Sequence, residues 1–284
     1  MKQSVVLLGA ATVALGLLAF AGAASAQSLP ADIKQAGEIR IGSQANFPPV
    51  EFYKEGTKDI EGFSRDLLME VAKRLGVKAR YVEGEYTGLI PGIQAGRWDM
   101  SSGGMTDQPE REKVVDFVNY FASGGSILMR AGDSKGRKTI DEMCGTNAAV
   151  LQGSAPFIAA AEKASEKCVA AGKPAINLLK LTSSPDAKQQ LDIARADAYL
   201  TDYVSASYLM RLQPGKYGIV GGDYTFTTWY FSWAFPKTGT QLRDTVQATL
   251  QGMLNDGTYA AILKNWSVEG GALKKITVNI ATQQ

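Results

Sequence analysis

The chain has 284 residues, a formal net charge of +2 and no histidine. The absence of histidine excludes Ser-His-Asp and Cys-His catalysis and most zinc sites, so the sequence predicts neither a metal ion nor another cofactor. The nearly balanced charge, without a long basic run, argues against nucleic acid as a partner.

Residues 1–26 have the features of a secretory signal peptide. Lys2 supplies the positive start, residues 5–20 are largely apolar, and residues 24–26 form a small-residue cleavage site. An anchoring transmembrane helix is the alternative, but the apolar run spans about 16 residues, against roughly 20 for a bilayer. A lipid anchor would need a cysteine at the cleavage point, and the first cysteine is Cys144. We therefore expect an exported mature protein that is free in solution and long enough for two lobes.

Short apolar strands alternate with amphipathic helices after residue 26, which is typical of an α/β fold with largely parallel sheets. Five elements are predicted for a first unit: strands at 39–42 and 99–102, and helices at 64–75, 89–94 and about 109–117. Four are predicted for a second unit: strands at 148–152 and 198–200, a helix at 156–171, and a helix that starts with Ser184 as its cap. A last helical segment, 240–266, could pack on either unit.

The two cysteines, Cys144 and Cys168, both fall in the second unit. Because a secreted chain folds in an oxidising compartment, we expect a disulfide between them, which would close a loop of about 25 residues. Two free thiols are the alternative interpretation.

Ligands of open parallel sheets bind beside the carboxyl ends of the strands. Four polar or glycine-rich segments are expected at such ends, at residues 44–47, 103–106, 153–155 and 201–202. After the second segment, Asp107 can cap a helix that places Arg111 early, near Thr106. A guanidinium, a hydroxyl and backbone N–H groups at a helix start suit a carboxylate, which arginine can bind with two hydrogen bonds. A surface arginine paired with a neighbouring glutamate is the alternative.

Asp202 is expected in the same crevice, on the second unit. Its negative charge would suit a cation such as an α-ammonium group, so Arg111 and Asp202 together match the two charges of a free amino acid. A helix N-cap is an equally good interpretation of Asp202 on its own. Phe47 and Tyr86 could form apolar walls of the crevice, although single aromatic residues are more often part of the core.

Five motifs stand in a specific order and spacing along the chain. They are FPPVEFY at 47–53, YTGLIPGIQAGRWD at 86–99, GMTDQPER at 104–111, RADAYLTD at 195–202 and DGTYAAILKNW at 256–266. Together they resemble the polar amino-acid-binding (family 3) solute receptors of bacterial ABC importers. The resemblance implies the type II periplasmic-binding-protein fold, in which two lobes, each a sheet with flanking helices, are joined by a two-strand hinge. It places lobe 1 at 27–122 and 227–284, and lobe 2 at 123–226.

The resemblance assigns one group of residues to the α-carboxylate of a ligand. Arg111 would bind the carboxylate, assisted by the hydroxyl of Thr106 and a backbone group of Gly104. On lobe 2, Ser154 and Ala155 match a segment where a hydroxyl and backbone N–H groups touch the carboxylate. Ala155 departs from the threonine or glycine that is frequent at its position, so only its backbone would take part.

The resemblance assigns other residues to the rest of the ligand. Asp202 corresponds to the residue that binds the α-ammonium group, and Phe47 and Tyr86 correspond to aromatic residues on either side of the ligand. Relatives that select cationic amino acids tend to have an acidic residue where this chain has Gln44. A neutral amide there would leave a buried ammonium unpaired, which favours a neutral or polar amino acid over lysine or arginine.

The function predicted from these features is a periplasmic receptor that closes its lobes around a free amino acid and delivers it to the membrane permease of an ABC importer. We expect a monomer that is not an enzyme. The alternative is a periplasmic enzyme on the same scaffold, similar to cyclohexadienyl dehydratases, with Asp202 as the acid or base. The ligand sensor of a membrane receptor is a third interpretation, which the lack of a predicted anchoring helix after the binding domain disfavours.

Overall fold

The structure, a computed structural model, describes residues 28–281. The predicted signal peptide, residues 1–26, lies outside the described residues. Within the described range, no helix is both long enough and apolar enough to cross a membrane.

Helices and strands alternate along the described chain. The helices are α1 (Ala31–Ala36), α2 (Phe63–Arg74), α3 (Leu89–Gln94), α4 (Pro109–Glu112), α5 (Ala155–Ala170), α6 (Ser184–Asp192), α7 (Tyr203–Leu212), α8 (Thr240–Asn255) and α9 (Thr258–Asn265). The strands are β1 (Glu38–Ser43), β2 (Asn46–Phe47), β3 (Glu51–Tyr53), β4 (Ile60–Glu61), β5 (Lys78–Glu83), β6 (Met100–Thr106), β7 (Val115–Arg130), β8 (Asn147–Leu151), β9 (Asn177–Leu181), β10 (Ala198–Asp202), β11 (Tyr217–Ile219), β12 (Thr228–Pro236) and β13 (Thr277–Val278). The alternation confirms the predicted α/β class.

One long strand, β7, belongs to both halves of the main sheet. Residues 115–124 of β7 pair antiparallel with β12, and the sheet continues from β12 through β6 and β1 to β5. Residues 125–129 pair antiparallel with β10, and the sheet continues from β10 through β8 to β9. Pairing is parallel between β5, β1 and β6 and between β10, β8 and β9, so each lobe has the parallel strands that the sequence predicts. The predicted lobe boundaries stay a prediction.

The core of the first lobe forms around α2. Leu67, Leu68, Val71 and Ala72 share one face of this helix and are buried, as their spacing predicts. The helix ends just before Gly76, whose φ of +70° is a left-handed conformation that glycine adopts without strain. Because α8 and α9 both pack against α2, the last helical segment lies on the first lobe.

The helix predicted at about 109–117 is wrong in its second half. Helix α4 ends at Glu112, and strand β7 begins at Val115. Residues 115–121 are buried on both faces of β7, which pairs here with β12 and β13. A strand buried on both faces reads as a continuous apolar run, which periodicity alone cannot distinguish from a buried helix.

The cap predicted for this helix is also wrong. Gln108 is the N-cap residue of α4, and its side chain makes no cap hydrogen bond. The carboxylate of Asp107 instead accepts hydrogen bonds from Asn119 Nδ2 at 3.1 Å and from the backbone N–H of Ile280 at 2.9 Å. Asp107 therefore anchors the end of the described chain to the first lobe.

The predicted disulfide between Cys144 and Cys168 is confirmed, and it ties the turn before β8 to helix α5. Removing this bond is expected to destabilise the protein. The bond closes a loop of about 25 residues, for which the chain-entropy model gives about 3 kcal/mol of unfolding free energy. Urea denaturation of a Cys144→Ala/Cys168→Ala double variant should show this loss, and so should the reduced wild-type protein. A loss below about 1 kcal/mol in both would contradict the expected contribution.

Candidate functional site

A cavity lies between the lobes, at the carboxyl ends of β1 and β6 on one side and of β8 and β10 on the other. This is the edge at which the sequence predicts a ligand site. Seven of the nine predicted ligand-binding residues line the cavity: Gln44, Phe47, Tyr86, Gly104, Thr106, Ser154 and Asp202. The two others, Arg111 and Ala155, lie beside it in different surroundings.

Arg111 lies on α4 and is held against the lining of the cavity. Its Nη1 atom donates to the carbonyl oxygen of Thr106 at 3.0 Å and to the Thr106 hydroxyl at 2.8 Å. Its Nη2 atom donates to the carbonyl oxygen of Gly153 on the other lobe at 2.9 Å. Its guanidinium carbon lies 5.9 Å from the centre of the Tyr86 ring. No carboxylate within residues 28–281 forms an ion pair with Arg111, which removes the alternative of a surface arginine paired with glutamate.

Asp202 ends strand β10 and is only 3% exposed. It occupies the N-cap position of α7, but its side chain makes no cap hydrogen bond. Its Oδ1 atom has no hydrogen-bond partner in the described part of the chain. Burial raises the pKa of Asp202 well above its ordinary value, and the hydroxyl of Ser123 and the indole of Trp229 offset part of that rise. A buried carboxylate oxygen without a partner is costly, so this position favours a cation in the cavity.

Phe47 forms one aromatic wall of the cavity. Its ring meets the ring of Phe231 edge to face, with the ring centres 6.1 Å apart. Gly104 has a φ of +75°, and a Cβ atom at this position would lie 3.2 Å from Phe47 Cδ1. Glycine at position 104 therefore permits both the left-handed backbone and the close approach of the Phe47 ring.

Tyr86 forms a second aromatic wall, in a short 3-10 turn that precedes α3. It lies where the lobes meet, since a Cβ atom on Gly153 would be 3.4 Å from Tyr86 Cδ1. Tyr86 and Phe47 are both half-buried and line the cavity, and each also packs against core residues, so a ligand contact of either ring stays a prediction.

Gln44 connects the lobes across the rim of the cavity. Its Nε2 atom donates to Glu85 Oε2 at 2.9 Å and to the carbonyl oxygen of Thr182 on the second lobe at 3.1 Å. The Gln44 amide thus has its N–H groups engaged by two acceptors, of which Glu85 carries a charge but is itself exposed.

Ala155 is exposed and lies outside this cavity. Its backbone N–H donates to the carbonyl oxygen of Gly153 at 2.9 Å. Ala155 lines a second, larger cavity of about 850 Å³, which shares Pro156 and Trp229 with the first. A ligand contact of Ala155 stays a prediction.

Residues that the sequence did not mark also line the cavity, among them Glu51 on β3, and Trp229 and Phe231 on β12. The place of β12 beside the cavity depends on its pairing with β6 and β7, which no local motif reveals. Glu51 lies within the FPPVEFY motif, where an acidic residue between Val50 and Phe52 could have indicated a buried charge.

Comparisons with known proteins agree on one family. The model of the bacterial extracellular solute-binding proteins, family 3, matches residues 39–269. The arginine-binding protein ArgT of Corynebacterium glutamicum is 28% identical over 251 residues, which cover 88% of this chain and 81% of that protein. Two solved structures of reconstructed ancestral proteins also superpose on most of the chain.

The first of these structures is an ancestral amino acid-binding protein, AncCDT-1, described as a precursor of cyclohexadienyl dehydratase. It matches with a TM-score of 0.73 and 29% identity over 83% of this chain and 97% of its own. The second is an ancestral arginine-binding protein bound to glutamine. It matches with a TM-score of 0.71 and 33% identity over 82% of this chain and 99% of its own.

Proposed function

The chain belongs to family 3 of the bacterial extracellular solute-binding proteins, and we propose that it captures a free L-amino acid between its lobes and delivers it to an ABC permease. Its named relatives are binding proteins, and this chain is a binding protein of amino-acid transport rather than an enzyme. We place it in the periplasm as a monomer, after removal of residues 1–26.

The observation that carries the proposal is the pair of opposite charges beside one cavity. The guanidinium of Arg111 donates only to neutral oxygens, and the carboxylate of Asp202 has an oxygen without a partner among residues 28–281. An α-carboxylate and an α-ammonium group would satisfy both charges at once. Hydrogen bonds between charged groups are stronger in a dry site than in water, so a zwitterion would satisfy Arg111 and Asp202 better than a neutral solute would.

The other lining residues complete the contacts of the proposed ligand. Thr106 and the backbone of Gly104 would assist Arg111 at the carboxylate, together with Ser154 and the backbone of Ala155 from the second lobe. Phe47 and Tyr86 would enclose the carbon stem of the ligand from two sides, which removes apolar surface from water.

Lobe closure explains how contacts from both lobes could reach one ligand. Arg111 donates to Gly153, and Gln44 donates to Thr182, across the cavity. Both bonds must break when the lobes separate, because each joins one lobe to the other. A ligand that bridges Arg111 and Asp202 would add to these contacts and so favour the closed arrangement.

The proposed ligand is a neutral or polar amino acid. Among the described residues that line the cavity, only Glu51 and Asp202 carry charge. Asp202 would bind the α-ammonium group, and Glu51 already accepts hydrogen bonds from hydroxyl groups. A buried cationic side chain would therefore have to compete with these hydroxyl groups for an acidic partner, which disfavours it.

Replacing Gln44 with glutamate is expected to shift the preference toward arginine and lysine. The new carboxylate would face Glu85 and the Thr182 carbonyl, so a cationic side chain would relieve the repulsion that a neutral side chain leaves. We expect a gain of about tenfold or more in the affinity ratio of arginine to glutamine, measured by titration calorimetry.

Glu85→Gln is the matched control for the Gln44 experiment. If the wild-type protein binds a neutral amino acid, this change should alter its affinity by less than about threefold, because Glu85 is exposed. A wild-type protein that prefers arginine and loses it in Glu85→Gln would contradict the neutral preference and make Glu85 the partner of a cationic side chain.

Uptake measurements test the proposed function as a whole. Cells that lack this chain should lose high-affinity uptake of the amino acid that the purified protein binds. Uptake should return with the wild-type chain but not with an Arg111→Ala chain made in equal amount. Unchanged uptake in the deletion strain would contradict delivery to a permease.

A further inference from the structure

Glu51 is a buried carboxyl group beside the cavity that has no cationic partner. It lies on β3, is 0% exposed and lines the cavity. Within residues 28–281, its side-chain partners are three hydroxyl groups and no lysine or arginine. Burial raises the pKa of Glu51 to about 6, and the three hydroxyl groups offset part of that rise. Burying a carboxylate without a cationic partner costs free energy, so we look for a role of Glu51 beyond packing.

Two of the partners of Glu51 lie on β1 and β6, the strands that lead into first-lobe residues of the cavity. Ser43, the last residue of β1, donates its hydroxyl to Glu51 Oε1. Ser102, on β6, donates to Oε1 at 2.7 Å and lies 2.9 Å from Oε2. Gln44 and Phe47 follow the first serine, and Gly104 and Thr106 follow the second. One carboxylate thus fixes two segments relative to each other.

The bond to Ser43 extends into the turn that follows it. The Ser43 hydroxyl oxygen also accepts a hydrogen bond from the backbone N–H of Ala45 at 3.0 Å. Ala45 has a φ of +46°, a left-handed conformation that alanine adopts only at a cost. The chain of bonds from Glu51 through Ser43 to Ala45 therefore holds a strained turn, and this turn places Gln44 and Phe47 at the cavity.

We propose that Glu51 is a positioning residue of the amino-acid site: its ionised carboxylate holds the Ser43–Phe47 turn and the Ser102–Thr106 segment in the arrangement that binds the ligand. This inference rests on the proposed function. A protonated Glu51 would donate to one of its hydroxyl partners, which could then no longer donate to the carboxylate. The register of the two segments would loosen, and the affinity for the amino acid would fall.

Other ionisable groups lie near Glu51 and must be distinguished from it in a pH titration. Tyr81 donates its hydroxyl to Glu51 Oε2 at 3.1 Å. Burial raises the pKa values of Tyr81, Tyr53 and Tyr120, the charge of Glu51 adds to each rise, and Arg65 acts in the opposite direction on Tyr81. Tyrosines with raised pKa values stay neutral below pH 8. Asp202 is the other carboxyl group that lines the cavity.

The test is the pH dependence of affinity in the wild-type protein and in Glu51→Gln. Titration calorimetry would use L-glutamine, or the common amino acid that gives the largest thermal shift. In the wild-type protein, affinity should fall at least about threefold between pH 7.5 and pH 5. Glu51→Gln should bind about tenfold more weakly at pH 7.5, because an amide cannot accept from all three hydroxyls, and its affinity should depend less on pH, because an amide does not ionise. The pH dependence that remains in Glu51→Gln would belong to Asp202, and a pH dependence as large as that of the wild-type protein would overturn the inference.

Single-hydroxyl variants separate positioning from a general loss of stability. Ser102→Ala and Ser43→Ala should each lower the affinity of the wild-type protein for the amino acid. Added to Glu51→Gln, each substitution should lower the affinity by a smaller factor, because the hydroxyl and the carboxylate act together. Tyr81→Phe is the matched control, since it removes a hydroxyl partner of Glu51 from β5, a strand that contributes no residue to the cavity. It should lower the melting temperature but change affinity by less than about twofold. An equal loss of affinity in Tyr81→Phe would reduce Glu51 to a structural residue.

The outcomes distinguish this inference from the proposed function. If the wild-type protein binds no amino acid, the proposed function fails and the positioning role fails with it. If the wild-type protein binds and Glu51→Gln binds equally well at both pH values, only the positioning role is lost. If Glu51→Gln does not fold, the affinity of Ser102→Ala is compared with that of the wild-type protein instead.

Discussion

Arg111→Ala is expected to abolish amino-acid binding while leaving the protein folded. Truncating one partner of a buried, hydrogen-bonded charge pair costs about 2–5 kcal/mol, which is roughly a thirtyfold to several-thousandfold loss of affinity. Arg111 makes no ion pair in the described structure, and its guanidinium donates to only two residues, Thr106 and Gly153. Its removal should therefore change the melting temperature of the empty protein by only a few degrees.

Two variants accompany the Arg111→Ala experiment. Arg111→Lys keeps the charge but cannot bind a carboxylate through two parallel N–H groups. Its affinity for the amino acid should therefore lie between those of the wild-type protein and Arg111→Ala. Arg80→Ala is the matched control, because Arg80 is an exposed arginine that pairs with Glu38 on the surface. Calorimetry should show wild-type affinity for Arg80→Ala, and wild-type affinity for Arg111→Ala would refute the carboxylate role.

Asp202→Asn is expected to weaken binding strongly and to stabilise the empty protein at neutral pH. The amide cannot pair with an α-ammonium group as a charge, so the loss of affinity should again be about 2–5 kcal/mol. The empty protein should gain because a buried carboxylate with an unpartnered oxygen is replaced by a neutral group of the same shape.

The pH dependence of stability gives the sign of the Asp202 effect. Because burial raises the pKa of Asp202 in the folded protein, its contribution to stability is fully present below the unfolded pKa and is lost as pH rises through the folded pKa. Burial also raises the pKa of Glu51 to about 6 and that of Asp107 to about 7, so several groups act in the same direction. The contribution of Asp202 is the difference between the wild-type protein and Asp202→Asn in the pH dependence of the unfolding free energy.

Urea denaturation of the empty proteins between pH 5 and pH 8 measures that difference. The stability of the wild-type protein should decline more steeply with rising pH than that of Asp202→Asn. A variant that is less stable than the wild type at pH 8, or that binds with unchanged affinity, would contradict the assignment of Asp202 to the ligand ammonium.

Local sequence patterns predicted the structure correctly where a single helix or strand determines it. The spacing of apolar residues predicted α2, and the polar segments after β1, β6, β8 and β10 were predicted to meet at one edge because parallel strands end together. The cap of α6 was misplaced by one residue, since Ser183 rather than Ser184 accepts the hydrogen bond from Asp186 N. Such errors of one residue are expected when neighbouring residues are both good caps.

The features that could not be predicted from the sequence depend on contacts between residues that are distant along the chain. Residues 115–117 were predicted as the end of a helix, but they belong to β7, which pairs with β12 and β13. Trp229 and Phe231 reach the cavity only because β12 lies between β6 and β7. Asp107 resembled a helix cap, but its partners Asn119 and Ile280 are distant in sequence. Each of these contacts depends on tertiary structure, which overrides local preference.

A thermal-shift screen of the purified mature protein against the common amino acids tests the central claim most directly. A ligand present at 100 times its dissociation constant stabilises the folded state by about 2.7 kcal/mol, which raises the melting temperature by roughly 5–10 °C in a protein of this size. We predict a clear shift with at least one neutral or polar amino acid and its loss in Arg111→Ala. No shift with any amino acid would contradict the claim that this chain is a receptor for free amino acids.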